Sequence, residues 1–230
     1  MKTKKAIAAL AGMIALGLCC RQVLAQDYNT VRAGIYSVFY HTQADDVSGP
    51  FTPSGLNATV PNVNTLYFAY LRRLTAHLQV ELTAGLPPQT DIVGKGPNYV
   101  GSVPYNGQVL GHVSWFSPTV LLHYVFFDES ARWRPYVGAG VNYTHFFDRE
   151  VDANGRAALG GPTSISQSNS IGPAGSIGLS YRPKEHWEVI ASLSGAKVKS
   201  DLTLNTAGVV RRTTADFWPV TFVAAIGWKF

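Results

Sequence analysis

The chain alternates between apolar and polar or small residues over most of its length, and no long segment repeats with a helical period. The clearest case is residues 77–86, where Leu78, Val80 and Leu82 fall on one face and Glu81 falls on the other. A period of two is that of a β-strand whose two faces meet different surroundings. The pattern therefore predicts an all-β protein.

Eight such segments are separated by spacers that alternate between short and long. The segments are residues 30–42, 64–71, 77–86, 114–127, 134–147, 170–183, 186–202 and 216–230. The spacers after the second, fourth and sixth segments are short, and the long ones are residues 43–63, 87–113, 148–168 and 203–212. Strands of ~9–11 residues with short turns at one end and long loops at the other are typical of bacterial outer-membrane barrels. We therefore predict an eight-stranded antiparallel transmembrane β-barrel with short periplasmic turns and long extracellular loops.

Charged residues indicate which face of each strand points into the barrel. A Lys or Arg that faces lipid at the membrane midplane costs ~2–4 kcal/mol. This turns Arg32 and Lys229 inward, and Glu81 and Glu188 fall on the inward face of their strands, while the aromatic ends of the other faces, such as Trp228, lie at the interfaces. The second strand is ambiguous, because both of its faces are apolar. A soluble β-sandwich is the alternative, but its single shared core does not explain aromatic residues at the ends of the apolar faces.

The first 25 residues have the pattern of a cleaved export signal. A cationic start, MKTKK, is followed by a short apolar run, and VLA precedes Gln26 as a small-residue cleavage site. The apolar run is shorter than the 18 or more residues of a membrane anchor. A lipoprotein signal is disfavoured because Leu18, rather than a small residue, precedes Cys19. We predict a signal peptide at residues 1–25 and one domain, the barrel, at residues 26–230.

Removal of that signal changes the composition of the mature chain. Cys19 and Cys20 are the only cysteines, so the mature chain has none, which excludes disulfides, thiolate metal sites and cysteine nucleophiles. Four of the 19 basic residues also leave, which reduces the net charge from +5 to +1 (15 basic against 14 acidic). The basic balance thus belongs mostly to the signal, and we expect no nucleic-acid partner.

Several segments resemble the OmpW family of small outer-membrane barrels. The most specific is RWRPYVGAGVNYTHFF at residues 132–147, and residues 78–87, 117–128 and 172–189 match further strands of that family. The resemblance implies an eight-stranded barrel with a narrow, largely apolar lumen that passes small hydrophobic compounds into the membrane through a lateral opening. Some members carry a bulky aromatic residue in the seventh strand, where this chain has Ser194 and Gly195.

The assigned register divides the predicted lumen into two parts. Arg32 and Lys229, with Glu81 and Glu188, are expected to close its periplasmic end. The outer and middle parts are apolar, and the predicted solute path is lined by Val38, Tyr40, Trp115, Leu121, Phe217 and Val223. An eight-stranded barrel leaves room only for side chains or for one small ligand. These residues therefore either plug the barrel or form a hydrophobic funnel.

Prolines indicate where such a funnel could open sideways. Pro118, Pro173 and Pro219 fall in the outer halves of strands that return towards the periplasm, and each removes a donor from the ladder. We predict a lateral opening at these prolines, with bulges as the alternative. The resulting hypothesis is passive uptake of small hydrophobic solutes, with outer-membrane lipids as further partners and no cofactor or metal.

Two other functions are alternatives to uptake. A structural or adhesion barrel would act through its extracellular loops and keep a plugged lumen. An enzyme acting on lipid would need a nucleophile beside His145, and the residue two positions further on the same face is Phe147. We therefore expect no enzymatic activity. The terminal Phe230 is the feature that barrel-assembly machinery is known to recognise in such proteins, so that machinery is an expected partner.

Overall fold

The computed structural model describes residues 29–40 and 42–230, with the backbone alone for residues 42 and 43. The predicted signal peptide, its cleavage site and the start of the predicted barrel domain at Gln26 lie outside these residues. Along the described chain the elements are β1 (Asn29–Phe39), β2 (Thr42–Ala44), β3 (Asn57–Thr59), β4 (Val63–Arg73), β5 (Leu78–Gly85), β6 (Gln89–Lys95), β7 (Tyr99–Val100), β8 (Val103–Pro104), β9 (Val109–Phe116), β10 (Thr119–Val125), β11 (Trp133–Val151), α1 (Ala153–Leu159), β12 (Thr163–Gln167), β13 (Ser170–Tyr181), β14 (Trp187–Ala196), β15 (Val198–Thr206), β16 (Val209–Phe217) and β17 (Val220–Lys229).

Eight of these strands form a closed barrel, as predicted. Their order is β10-β5-β4-β1-β17-β14-β13-β11, and pairing of β10 with β11 closes the circle. Every pair is antiparallel. Closure removes the free edges that an open sheet would expose to lipid. The fold class is therefore confirmed.

The predicted faces agree with the burial of the strands. Along β17, Thr221, Val223 and Ala225 are buried, whereas Phe222 and Trp228 are exposed on the outer surface. The ambiguous second strand, β4, turns its buried Tyr67, Ala69 and Leu71 inward. Aromatic pairs mark one membrane interface: Trp187 packs edge-on against Trp228, with 4.8 Å between ring centroids, and Trp133 lies 4.4 Å from Tyr181.

Three predicted strands are each divided into two. The segment 114–127 is broken at Ser117 and Pro118 between β9 and β10, and the segment 186–202 is broken at Lys197 between β14 and β15. The segment 216–230 is broken at Trp218 and Pro219 between β16 and β17. Alternation alone does not distinguish one long strand from two strands that continue in the same direction across a break.

The predicted long loops carry further strands beyond the eight of the barrel, and several of these strands continue the wall of the lumen. Strands β12, β15, β16 and β2 form one sheet, and β9, β6 and β3 extend the outer part of β11. The helix α1 packs on β9, where Gly155 lies against the carbonyl of Leu110 too closely for a Cβ. Among the described residues, no helix is long and apolar enough to cross a membrane.

Candidate functional site in the barrel lumen

A buried cluster of charges crosses the lumen in its periplasmic half. The guanidinium of Arg32 donates from Nη1 to Glu81 Oε2 at 2.7 Å and from Nε to Glu188 Oε1 at 2.6 Å. The remaining carboxylate oxygens accept from the hydroxyls of Tyr67, at 2.6 Å, and Ser180, at 2.9 Å. Strands β1, β4, β5, β13 and β14 each contribute one member. Because every oxygen of both carboxylates is satisfied, the cluster binds five strands together across the lumen.

The cluster extends upward through His123. Its Nδ1 lies 3.8 Å from Glu81 Oε2, its Nε2 lies 3.0 Å from Ser176 Oγ, and its ring packs 4.7 Å from that of Tyr136. Side chains from four consecutive strands, β5, β10, β11 and β13, therefore meet at this level. Lys229, which the sequence placed with this group, lies at the periplasmic end of β17, two residues beyond Gly227, which packs against Glu188.

Above the cluster the lumen holds a cavity of about 170 Å³. All six residues predicted for the solute path line it: Val38, Tyr40, Trp115, Leu121, Phe217 and Val223. Much of its outer wall is a packed apolar cluster of Val38, Val113, Trp115, Phe146 and Val198. A cavity with apolar walls of this size is suited to one small apolar ligand.

One wall of this cavity carries a polar cluster beside Pro118. The amide of Asn142 donates to Ser117 Oγ and Thr119 Oγ1, both at 2.8 Å, and its Oδ1 accepts from Thr144 Oγ1 at 2.9 Å. The amide nitrogen of Tyr143 also donates to the carbonyl of Pro118 at 3.0 Å. These bonds tie β9 and β10 to β11 across the break at Pro118.

The walls beside the other two predicted prolines are also bridged. Pro173 lies within β13 opposite Val141, and its carbonyl accepts from the amide of Lys197 at 2.9 Å. At Pro219 the break spans two residues, and directly below it Ser194 Oγ lies 2.5 Å from Thr221 Oγ1. Side chains or carbonyls thus restore contacts where each proline lacks its donor.

A further interruption in the wall lies at a different pair of prolines. The ladder between β4 and β5 ends near Leu66 and Leu86, where Thr65 Oγ1 also donates to the carbonyl of Leu86 at 2.8 Å, and it resumes only where Thr59 of β3 pairs with Val93 of β6. Residues 60–65 and 87–92 lie outside this backbone ladder. At ~3.3 Å per residue this is roughly 20 Å of wall. Pro87 and Pro88 lie in this segment.

The same segment is weakly held on its other side. The β5–β10 ladder ends at the pair of Thr83 and Thr119 and resumes between β6 and β9 where Gln89 pairs with Ser114. Between these pairs, Trp115 donates to the carbonyl of Pro88 at 3.4 Å. The sequence pattern did not single out Pro87 and Pro88, because they lie just beyond a strand end, where prolines are ordinary loop residues. Their position next to each other was the available signal.

His145, the one histidine considered for catalysis, lies on the outer surface of β11. Its Nδ1 is 2.8 Å from Asn169 Oδ1, and its ring stacks on Phe147 at 5.8 Å between centroids. Asn169 in turn donates to the hydroxyl of Tyr143 at 3.1 Å. An amide and two aromatic rings form an interfacial contact and supply neither a nucleophile nor a carboxylate.

Known proteins share both the sequence and the barrel. Outer membrane protein W of Vibrio cholerae serotype O1 is 29% identical over 200 residues, which cover 87% of each chain. The dibenzothiophene metabolism operon protein PahQ of Pseudomonas aeruginosa is 28% identical over 204 residues, covering 87% of this chain and 88% of the relative. The crystal structure of outer membrane protein OprG from Pseudomonas aeruginosa superposes with a TM-score of 0.78 at 24% identity, covering 88% of this chain and 95% of that one.

The family assignment rests on nearly the whole described chain. The OmpW family matches residues 28–230, which include all eight barrel strands. The resemblance seen in residues 132–147 is therefore confirmed, and so is the location in the outer membrane that the barrel and the named relatives indicate. This chain belongs to the OmpW family and is a β-barrel protein of the bacterial outer membrane.

Proposed function

We propose that the barrel takes up small hydrophobic molecules passively and releases them sideways into the membrane. The observation that carries this proposal is an apolar cavity of about 170 Å³ that is bounded below by the Arg32 cluster and bordered by an interruption in the wall at Pro87 and Pro88. A solute in this cavity meets ionic groups below and apolar contacts beside it. The sideways route is therefore the one of lower free energy for an apolar molecule.

The closing role of the charge cluster follows from its burial and its bonds. Arg32, Glu81 and Glu188 are all at least 95% buried, so an apolar solute that moved downward would have to separate ions that no water replaces. Movement sideways needs no energy source, because each CH₂ transferred into hydrocarbon gains ~0.8 kcal/mol. The direction of uptake is then set by partition into the membrane.

The opening is best assigned to the segment that contains Pro87 and Pro88. Hydrogen bonds bridge the walls beside Pro118, Pro173 and Pro219. Residues 60–64 and 87–92 lie beyond the bond from Thr65 Oγ1 to the carbonyl of Leu86 and outside the backbone ladder that joins β4 to β5 and β3 to β6. Cavity-lining residues lie on both sides of this interruption, with Val60 on one side and Ile92 on the other. We therefore propose Pro87 and Pro88 as the opening in place of the three prolines expected from the sequence, of which only Pro118 borders the same segment.

One relative supports an apolar solute. The printed name of PahQ places that protein in an operon for the metabolism of dibenzothiophene, a hydrophobic heteroaromatic compound. Transfer of this solute class to the present chain is part of the proposal. Outer-membrane lipids would receive the solute in the final step.

Thiol labelling at the wall tests the proposal. Val63 lies beside the interruption, whereas Val141 is exposed to lipid and paired on both sides, to Val120 and Pro173. A mature chain that begins at Gln26 has no native thiol, so Val63→Cys and Val141→Cys each carry a single label site. Uptake of n-octane is measured in cells with a lipopolysaccharide outer leaflet, because a phospholipid bilayer itself passes alkanes.

The two labelled variants have different expected outcomes. A bulky maleimide on Val63→Cys should abolish the barrel-dependent uptake, and the same label on Val141→Cys should leave it unchanged. Equal uptake by labelled and unlabelled Val63→Cys would contradict the proposed sideways route. If neither variant nor the unlabelled native chain takes up octane, the result would favour the alternative of a plugged barrel that acts through its loops.

A further inference from the structure

A second apolar cavity lies outside the barrel, beneath the helix α1. Its volume is about 90 Å³, and its walls come from α1, the outer sheets and the segment around Leu56. Apolar side chains that line it include Leu56, Leu110, Ala158, Leu159, Ile165 and Leu204. Closure of the barrel does not depend on this cavity, because all eight barrel strands are paired below it.

The two cavities are contiguous. They share five lining residues: Val47, Ala58, Ile92, Leu202 and Thr213. The side chain of Glu150, which also lines the outer cavity, is 75% exposed to solvent, and a tyrosine hydroxyl in the wall is hydrogen-bonded and uncharged. The hydroxyl of Tyr105 donates to the carbonyl of Asn57 at 2.8 Å, and burial raises the pKa of this tyrosine to about 12, which keeps it neutral.

Contacts at Gly155 and at Leu159 fix the position of α1 over the outer cavity. Gly155 packs against the carbonyl of Leu110 on β9. At the other end the buried Arg211 donates to the carbonyl of Leu159 at 3.4 Å and to Thr52 Oγ1 at 3.1 Å. A cation at the last carbonyls of a helix is favourable. These contacts hold Ala158 and Leu159 over the cavity, so its width is built into the fold.

We propose that this outer chamber is a second binding site for apolar molecules, which admits part of a slim alkyl chain and excludes aromatic rings. An apolar cavity of ~150 Å³ holds benzene. The lumen cavity, at about 170 Å³, is large enough for such a ring, whereas the outer chamber, at about 90 Å³, is not. A flexible alkyl chain can place some of its carbons in the chamber and the others in the adjoining lumen cavity, which a rigid ring cannot do. A part for the chamber in selecting solutes rests on the proposed uptake function, whereas binding in the chamber does not.

Methyl NMR of the full barrel in lipid nanodiscs tests this site. Leu204 and Ile165 report on the outer chamber, and Leu121 and Val223 report on the lumen. The probes are n-hexane and naphthalene. Ala158→Phe fills the chamber, and Ala157→Phe, an exposed position on the same helix, is the matched control.

The expected result separates the two cavities. Hexane should shift the Leu204 and Ile165 methyls in the native chain and in Ala157→Phe, and its apparent Kd there should rise at least tenfold in Ala158→Phe. The Leu121 and Val223 methyls should respond in all three, which also shows that the barrel is folded. Naphthalene should shift only the lumen methyls. Removing side-chain volume in Leu159→Ala should let naphthalene shift Ile165 and Leu204 as well.

Three outcomes would overturn the proposal. The first is that hexane does not shift the Leu204 and Ile165 methyls in the native chain. The second is an undiminished hexane shift of Leu204 in Ala158→Phe, and the third is a naphthalene response at Leu204 in the native chain. Failure of the uptake function has a different signature, namely no octane uptake by cells while hexane still shifts the outer methyls in nanodiscs.

Discussion

The Nε of Arg32 lies 2.6 Å from Glu188 Oε1, although 156 residues separate the two in the sequence. This ion pair joins β1 to β14, which are not neighbours: β17 lies between them in the barrel. Arg32 faces Gly227 of that intervening strand, where the missing side chain leaves room for the Glu188 side chain. The pair therefore passes over the inner face of β17 and joins two strands that share no backbone ladder.

Arg32→Met is expected to destabilise the barrel strongly. It leaves Glu81 and Glu188 buried and without their cation, and removal of one partner from a buried pair costs about 3–5 kcal/mol. Urea unfolding in lipid vesicles measures the loss. Arg132→Met, at an exposed position, should change the free energy of unfolding little.

A compensated variant distinguishes charge from packing in the same cluster. Neutralising both carboxylates as well, in Arg32→Met with Glu81→Gln and Glu188→Gln, should recover part of the lost free energy, because no unpaired ion remains buried. If the triple variant is no more stable than Arg32→Met alone, loss of side-chain packing rather than of the ion pairs explains the effect.

Charges placed in the upper lumen should block uptake. Leu121→Lys with Phe217→Lys introduces two ammonium groups into the apolar cavity, where an alkane would have to displace their water. We expect octane uptake by cells to fall to the level without the barrel. Ala157→Lys, on the exposed face of α1, serves as the charge control. Full uptake by a folded Leu121→Lys/Phe217→Lys variant would mean that the solute does not pass through this cavity.

Asn142→Leu should weaken the barrel without blocking the lateral route. The substitution removes the amide that binds Ser117, Thr119 and Thr144, and buried polar groups left unsatisfied cost about 1–3 kcal/mol. Urea unfolding should register this loss, and octane uptake per folded barrel should stay the same, because the bridged wall at β11 is not the proposed opening. Reduced uptake at unchanged stability would instead move the opening to the wall beside Pro118.

The sequence predicted the barrel because alternation and charge are local signals. A strand that carries Arg32 on one face and apolar residues on the other has one favourable orientation in a membrane, with Arg32 inward. The same rules assigned the inward faces of β5, β10 and β17 and the lining of the lumen. These properties follow from each strand separately.

The proposed wall opening and the outer chamber could not be predicted in this way. Whether a proline weakens a wall depends on what its neighbours donate across the gap, as Lys197 does at Pro173 and Ser194 and Thr221 do at Pro219. The outer sheets pair segments that are far apart in the chain, such as β12 with β15. Loop composition alone carries little information about such pairing.

Pro88→Ala is the sharpest test of where the wall opens. The substitution adds a backbone N–H to a segment that borders both interrupted ladders, and that donor allows more of the wall to pair. We expect octane uptake to fall while the free energy of unfolding stays equal or rises. Pro219→Ala is the matched control, because Ser194 and Thr221 already bridge that wall, and its uptake should stay at the native level. A fall in uptake with Pro219→Ala and none with Pro88→Ala would move the opening to the β14–β17 wall.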